Sequence, residues 1–150
     1  MTIGPLGDVT YDMLKKMGMN VQLDSTDWGT VTQRRASKEP VDKGGWSILH
    51  TWAPSNVIGT PVEQWFIRGL GDKGWFGWYG DEKIEELTQA WLRAPNQAER
   101  DRFADEYQKR AFEQVPTIPC GQFQIRTAVR KSLQGQIEGA GAYMWNIRRT

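Results

Sequence analysis

Few residues of this chain have the chemistry of a catalyst. His50 is the single histidine and Cys120 the single cysteine among 150 residues. Nucleophilic catalysis would need His50 beside Cys120 or a serine, and no G-x-S-x-G turn exists to present one. A lone histidine cannot supply a multi-histidine metal site either, so no metal and no cofactor are expected. Gly69-Leu-Gly-Asp-Lys-Gly74 spells G-x-G-x-x-G letter for letter. A dinucleotide-binding turn needs a strand before it and a helix N-terminus after it, so that backbone N–H groups face a pyrophosphate. Here a helical-looking segment from Pro61 to Leu70 precedes it and an aromatic loop comes after, which makes it a plain loop. Glu85, Glu86, Asp101 and Asp105 are pairable carboxylates, but the periodicity puts all four on solvated helix faces, where nothing tunes them for general acid–base work. The chain is not expected to be an enzyme.

What the chain has in quantity is flat aromatic surface. It carries 8 tryptophans. Trp28 and Trp91 fall at helical core spacing and Trp46 opens an apolar run, so these read as packing residues. Trp65 lies in an amphipathic stretch and fits either role. Trp52, Trp75 and Trp78 sit in loops, where a ligand or a facing surface would cover them. Trp145 in the tail is expected to dock elsewhere on the fold. His50, two residues from Trp52, suits the lining of a ligand pocket better than catalysis.

Composition narrows the class further. A formal charge of +1 with 25% charged residues gives no field for steering nucleic acid, and Arg34-Arg35, Arg130-Lys131 and Arg148-Arg149 are too sparse for a binding stripe. No apolar run nears the roughly 20 residues of a membrane span. One cysteine cannot close an internal disulfide and reports no redox compartment. Thr2-Ile-Gly-Pro-Leu-Gly7 is neither basic nor a long apolar core. The expectation is a cytoplasmic chain, or a fragment on which Met1 is an artificial start.

The elements that must position these groups are set by periodicity and caps. Asp8 is placed to cap a helix with Val9, Met13, Leu14 and Met17 on one face, and Gly18 to end it. Asn20–Asp24 alternates like a strand. A second helix is predicted from Asp27 to Lys38 with Thr26 as cap. Glu39–Gly45 is a loop, and Trp46–Trp52 a second strand. Strand, helix, strand implies parallel neighbours with a right-handed crossover. In the C-terminal half, Asp81 caps a helix carrying Ile84, Leu87 and Trp91, and Ala94-Pro95 ends it. Asn96 with Glu99 opens another, carrying Phe103, Tyr107 and Ala111 as far as Pro116. The two form an antiparallel hairpin. Ile118, Cys120, Phe123 and Ile125 come next in extended spacing.

These segments together resemble the C-terminal part of the extracellular solute-binding proteins of ABC peptide importers, the dipeptide/oligopeptide/nickel-binding family. The resemblance is carried by Asp12-Met-Leu-Lys-Lys-Met-Gly-Met-Asn-Val-Gln-Leu23, Asp27-Trp-Gly-Thr-Val and Gln33-Arg-Arg. It continues through Gly44-Gly-Trp-Ser-Ile-Leu-His-Thr-Trp52, the helix hairpin and Val115-Pro-Thr-Ile-Pro-Cys-Gly-Gln122. It runs from about Leu6 to Arg149 and rests on order and spacing rather than one motif.

The resemblance implies an α/β fold: part of the second lobe of a two-lobed periplasmic-binding-protein fold of type II, with a parallel or mixed sheet flanked by helices. Residues 1–115 would be the later part of that lobe, and residues 116–150 the returning hinge strand and a tail toward a first lobe outside this chain. The implied role is to capture a peptide or related small solute between lobes and deliver it to the membrane permease, in the periplasm or outside the cell. Trp52, His50, Ser55, Asn56, Trp75 and Trp78 are the ligand-binding candidates. Self-association through surfaces meant for the other lobe is expected. In peptide-binding members the loop after the Trp46–Trp52 strand carries an Asp for the ligand's amino terminus. Here it reads Ala53-Pro-Ser-Asn-Val, which points to a ligand that lacks an unpaired ammonium and is held by stacking. The alternative is a Trp-rich carbohydrate-binding module, which would be all-β.

Overall fold

The computed structural model describes residues 3–124, 128–137, 139 and 143–150. The chain divides into two compact units, Met1–Ala53 and Pro54–Thr150. No helix among the described residues is long and apolar enough to cross a membrane.

The first unit begins with helix α1, Ile3–Lys16. It starts upstream of Asp8, the expected cap, because Pro5 in the first turn presets φ and leaves no needed N–H unmade. Its end is as expected. Gly18 turns left-handed at φ 83°, its N–H bonds Lys15 O at 3.0 Å, and Met19 N–H reaches Leu14 O at 3.1 Å, a Schellman closure. Helix α2, Trp28–Arg34, is capped by Asp27 rather than Thr26, with the Asp27 carboxylate accepting from Thr30 N–H at 3.1 Å and from its hydroxyl at 2.6 Å. It stops short of Lys38 as the Ala36 and Ser37 N–H groups tighten onto Gln33 O and Arg34 O. Trp28 is 45% exposed and fills no core in this unit.

Arg34 organises the chain on either side of α2. Its guanidinium bonds Asp24 at 2.6 Å, Gly44 O at 3.2 Å and Gly45 O at 2.9 Å. The Asp24 carboxyl is held below its usual range, chiefly by that hydrogen bond from Arg34. Gly45 is obligatory: a Cβ there would stand 1.7 Å from Glu39 O. The indole N–H of Trp46 donates to Arg35 O at 3.1 Å.

The expected parallel strands are not formed. Among the described residues, Asn20–Asp24 and Trp46–Trp52 have no ladder partner. Alternation of side chains sets which face a strand would bury, but a strand exists only when a neighbour takes its N–H and C=O groups. The sheet present is instead a two-stranded antiparallel pair in the second unit, β1 Leu133–Gln134 with β2 Arg148–Arg149. Thr150 N–H to Ser132 O extends it, and an isolated bridge joins Ile137 to Tyr143. The extended run expected after Pro116 makes no strand from Ile118 to Phe123, and Ile125 lies outside the described residues. Trp145 does not dock; it is 77% exposed beside Tyr143, the rings 5.0 Å apart.

The second unit is built on the predicted helix hairpin. Asp81 caps α3, Glu82–Arg93, by accepting from Lys83 and Ile84 N–H; Asn96 caps α4, Gln97–Gln114, by accepting from Glu99 N–H. Pro95 forces Ala94 out of helical geometry into an extended conformation, and α4 ends at Val115, which turns left-handed at φ 49° while its N–H still bonds Ala111 O at 2.8 Å. Ile84, Leu87 and Tyr107 form the buried centre, with Ile67, Tyr79 and Phe103 packed around it. Each fully buried aliphatic side chain contributes roughly 1.5–3 kcal/mol. Buried Thr88 satisfies its hydroxyl on Ile84 O at 2.8 Å.

Pro61–Leu70, expected to be helical, is a chain of turns. Its backbone bonds are short and irregular, Ile67 and Arg68 N–H both reaching Gln64 O and Trp65 N–H reaching Glu63 O, while the Val62 carbonyl is taken by Arg68 Nη1 at 3.1 Å.

Candidate functional site

The aromatic loops of the second unit form an organised surface. Trp65 and Trp75 stack with centroids 5.5 Å apart and planes 13° from parallel. Phe66 meets both edge-on, at 5.7 and 5.5 Å, and Phe76 meets Trp75 at 4.9 Å. Such contacts are worth about 0.5–1.5 kcal/mol each beyond the area they bury. They make a small aromatic core for a segment with no regular helix.

Two polar ties hold that segment to the helix hairpin. Arg68 and Glu85 form a two-pronged pair at 2.8 and 2.6 Å, and Glu85 also accepts from Gly69 N–H at 2.9 Å. Periodicity assigns Glu85 to a solvated face; its side chain is instead 22% exposed and clamps the loop. Asp81 is the second tie. Beyond capping α3, it accepts from Tyr79 OH at 2.6 Å and Arg110 Nε at 2.8 Å. Burial pushes the Asp81 carboxyl up, but these hydrogen bonds outweigh it and hold the group below its usual value. The same burial, with the Asp81 charge beside it, pushes Tyr79 up to about 12. The backbone closes between the ties: Gly71 N–H bonds Tyr79 O at 2.8 Å, and Asp81 N–H bonds Gly69 O at 3.1 Å. A Cβ on Gly69 would lie 2.1 Å from Asp81 O, so only glycine allows this approach.

Between the ties the chain makes two tight turns. The first runs through Gly71–Lys73. The second is closed by Trp78 N–H to Trp75 O at 2.9 Å, with Gly77 at φ 101°. Trp78 is next at φ 51°, a conformation costing a bulky residue about 1–3 kcal/mol and more common at functional sites than elsewhere.

Of the ligand-binding candidates, Trp75 and Trp78 share this turn, both half-buried. Ser55 and Asn56 lie exposed on a single 3-10 turn, Ser55–Val57. His50 and Trp52 belong to the first unit, where His50 Nε2 is 2.9 Å from Thr10 Oγ1. A groove of about 560 Å³ opens beside the aromatic stack, lined by Trp65, Trp75, Val57, Leu70 and Lys73 among others. Spacing alone fits Trp65 to either role and does not single out Lys73. The repeated dipeptides Trp65-Phe66 and Trp75-Phe76 are the signal that two like segments face each other. Among the described residues, no cluster of His, Cys, Asp and Glu is arranged to hold a metal ion.

No protein-family model matches the chain. Among proteins of curated description, it is 33% identical over 136 residues to a probable peptide ABC transporter periplasmic-binding protein of Sinorhizobium fredii. The alignment takes in 91% of this chain and 26% of that protein, so the chain spans about a quarter of its relative's length. Over nearly all of its residues, then, this chain is a sequence relative of part of an ABC transporter's periplasmic-binding protein.

Proposed function

We propose that the chain is the solute-capturing portion of an ABC importer's receptor. It holds a small peptide or related solute without transforming it and passes it to the membrane permease from the periplasm. The observation that carries the reading is the 33% identity over 136 residues to a probable peptide-transporter binding protein. The chemistry of the second unit agrees with it: aromatic faces on glycine-hinged loops, tied to a capped helix pair.

In this reading the chain works within a longer two-lobed protein. Residues 1–115 belong to one lobe and residues 116–150 return toward the other. Asn20–Asp24 and Trp46–Trp52 gain ladder partners there. Exposed apolar side chains such as Val9 and Met13 on α1, Met17 just after it, and Phe112 and Ile118 near the end of the hairpin, are covered there, and in the chain by itself they favour self-association. Trp52, His50, Ser55, Asn56, Trp75 and Trp78 contribute the ligand contacts. No observation favours a carbohydrate-binding module, whose all-β build contrasts with the four helices found among the described residues.

The test uses the protein encoded by the full reading frame. It is dialysed against a mixed peptide library, and the retained solutes are identified by mass spectrometry. Retention of peptides by the wild type, lost in Trp52→Ala/Trp75→Ala, is the expected result. A protein that retains no peptide, or that retains sugars instead, overturns the reading.

A further inference from the structure

We infer that the groove beside Trp65 and Trp75 is a subsite for an aromatic carboxylate, the chemistry of a peptide ending in an aromatic residue. The inference takes its solute class from the receptor reading above, and its argument from the groove itself.

The groove is open to solvent along much of its length, so it would cover one face of a small ligand rather than enclose it. Its walls are apolar where Trp65, Trp75 and Leu70 face it. Trp65 remains 38% exposed and Leu70 41%, so each still offers surface to a partner. The Trp65 ring is backed by Trp75 at 5.5 Å and braced edge-on by Phe66. A ring stacking on it meets a platform that need not be ordered first, which lowers the entropic cost of binding.

The one lining cation left without a partner among the described residues gives the sign of the ligand. Glu63, Arg68 and Lys73 are the ionisable groups in the lining. The three guanidinium nitrogens of Arg68 are all engaged, with Glu85 and Val62 O. The Glu63 carboxylate is turned into its own turn, accepting from Thr60 Oγ1 at 2.9 Å. The Lys73 ammonium makes neither a hydrogen bond nor an ion pair among the described residues. It sits on the Gly71–Lys73 turn, whose entry is held by the Leu70–Gly80 bridge through Gly71 N–H to Tyr79 O and whose exit is closed by Gly74 N–H to Gly71 O at 2.8 Å. A fixed apolar shelf with one uncommitted cation at its edge suits a flat anion.

The test is an NMR titration of the chain, read at the indole N–H resonances. The probes are N-acetylphenylalanine, its amide and N-acetylalanine. N-acetylphenylalanine should shift the Trp65 and Trp75 signals saturably and leave that of exposed Trp145 in place. The amide should bind roughly two- to fivefold more weakly, the worth of an exposed ion pair. N-acetylalanine should produce no saturable shift. Lys73→Gln, an exposed substitution, should make acid and amide bind alike, and Trp65→Ala should remove the Trp75 response while the Trp91 signal holds. Equal shifts from the alanine and phenylalanine probes, movement of Trp145 in parallel, or an unchanged acid preference in Lys73→Gln overturns the inference. These readouts are local. A full-length receptor that captures peptides regardless of a terminal aromatic carboxylate overturns the subsite while leaving the receptor reading in place.

Discussion

Tyr107→Phe should stabilise this protein, although removal of a buried hydroxyl more often weakens a fold. Tyr107 is 3% exposed, at the centre of the helix hairpin, and its hydroxyl has no hydrogen-bond partner among the described residues. Burial pushes this phenol far above its usual range, with Arg68 opposing and Glu85 adding to the shift. The hydroxyl gave up its water on folding and regained nothing, a cost of about 1–3 kcal/mol for a buried unmade group. Phenylalanine keeps the ring and its contacts with Ile84 and Leu87. The loss of one oxygen's dispersion contacts takes back a few tenths of a kcal/mol. The net expectation is a gain of about 1–2 kcal/mol. Tyr79→Phe is the paired control: the same atom is removed, but this hydroxyl donates to Asp81 at 2.6 Å. Its loss should cost about 1.5–3 kcal/mol, the range for a hydrogen bond to a charged group. Urea unfolding monitored by far-ultraviolet circular dichroism, with equal slopes for all three proteins, measures both. A destabilised Tyr107→Phe would refute the reasoning, since it would mean that the hydroxyl is satisfied by an ordered water.

The ties around the aromatic loops give three further expected outcomes. Because the folded-state pKa of Asp81 lies below its ordinary 3.8, its stabilisation is complete above that value and is lost as pH falls beneath it; Asp81→Asn should flatten part of the acid limb of a stability-against-pH curve. Glu85→Ala strands a half-buried Arg68 and should cost about 2–3 kcal/mol in urea melts, whereas Arg68→Met/Glu85→Met, which removes both charges, should recover most of that. Gly69→Ala drives a Cβ into Asp81 O and should cost about 3 kcal/mol or more, with amide exchange at Asp81 and Gly71 accelerated before the hairpin core opens.

The hairpin is legible in the sequence because its signals are local. A cap acts within three residues of itself, as Asp81 and Asn96 do, and a proline acts on its immediate predecessor, as Pro95 does. Gly18 likewise closes α1 through bonds to Leu14 and Lys15 alone. Where two local signals compete, the stronger stereochemical one wins: Pro5 starts α1 ahead of Asp8, and Asp27 displaces Thr26 as the cap of α2.

Tertiary structure decided everything that depends on a distant partner. Alternation at Asn20–Asp24 and Trp46–Trp52 names two faces but supplies no neighbour, and without one the backbone forms no ladder. Glu85 occupies a helix position that periodicity assigns to solvent, and it is drawn in by Arg68, 17 residues away. Arg110 reaches Asp81 across 29 residues, and Trp65 finds the face of Trp75 only after the Leu70–Gly80 bridge folds the loop back. Residue types and spacing determined where the chain turns and which helices it caps. Which side chains meet was decided by the closure of those turns, because stacking and ion pairing act over a few ångströms of space and carry no trace in sequence separation.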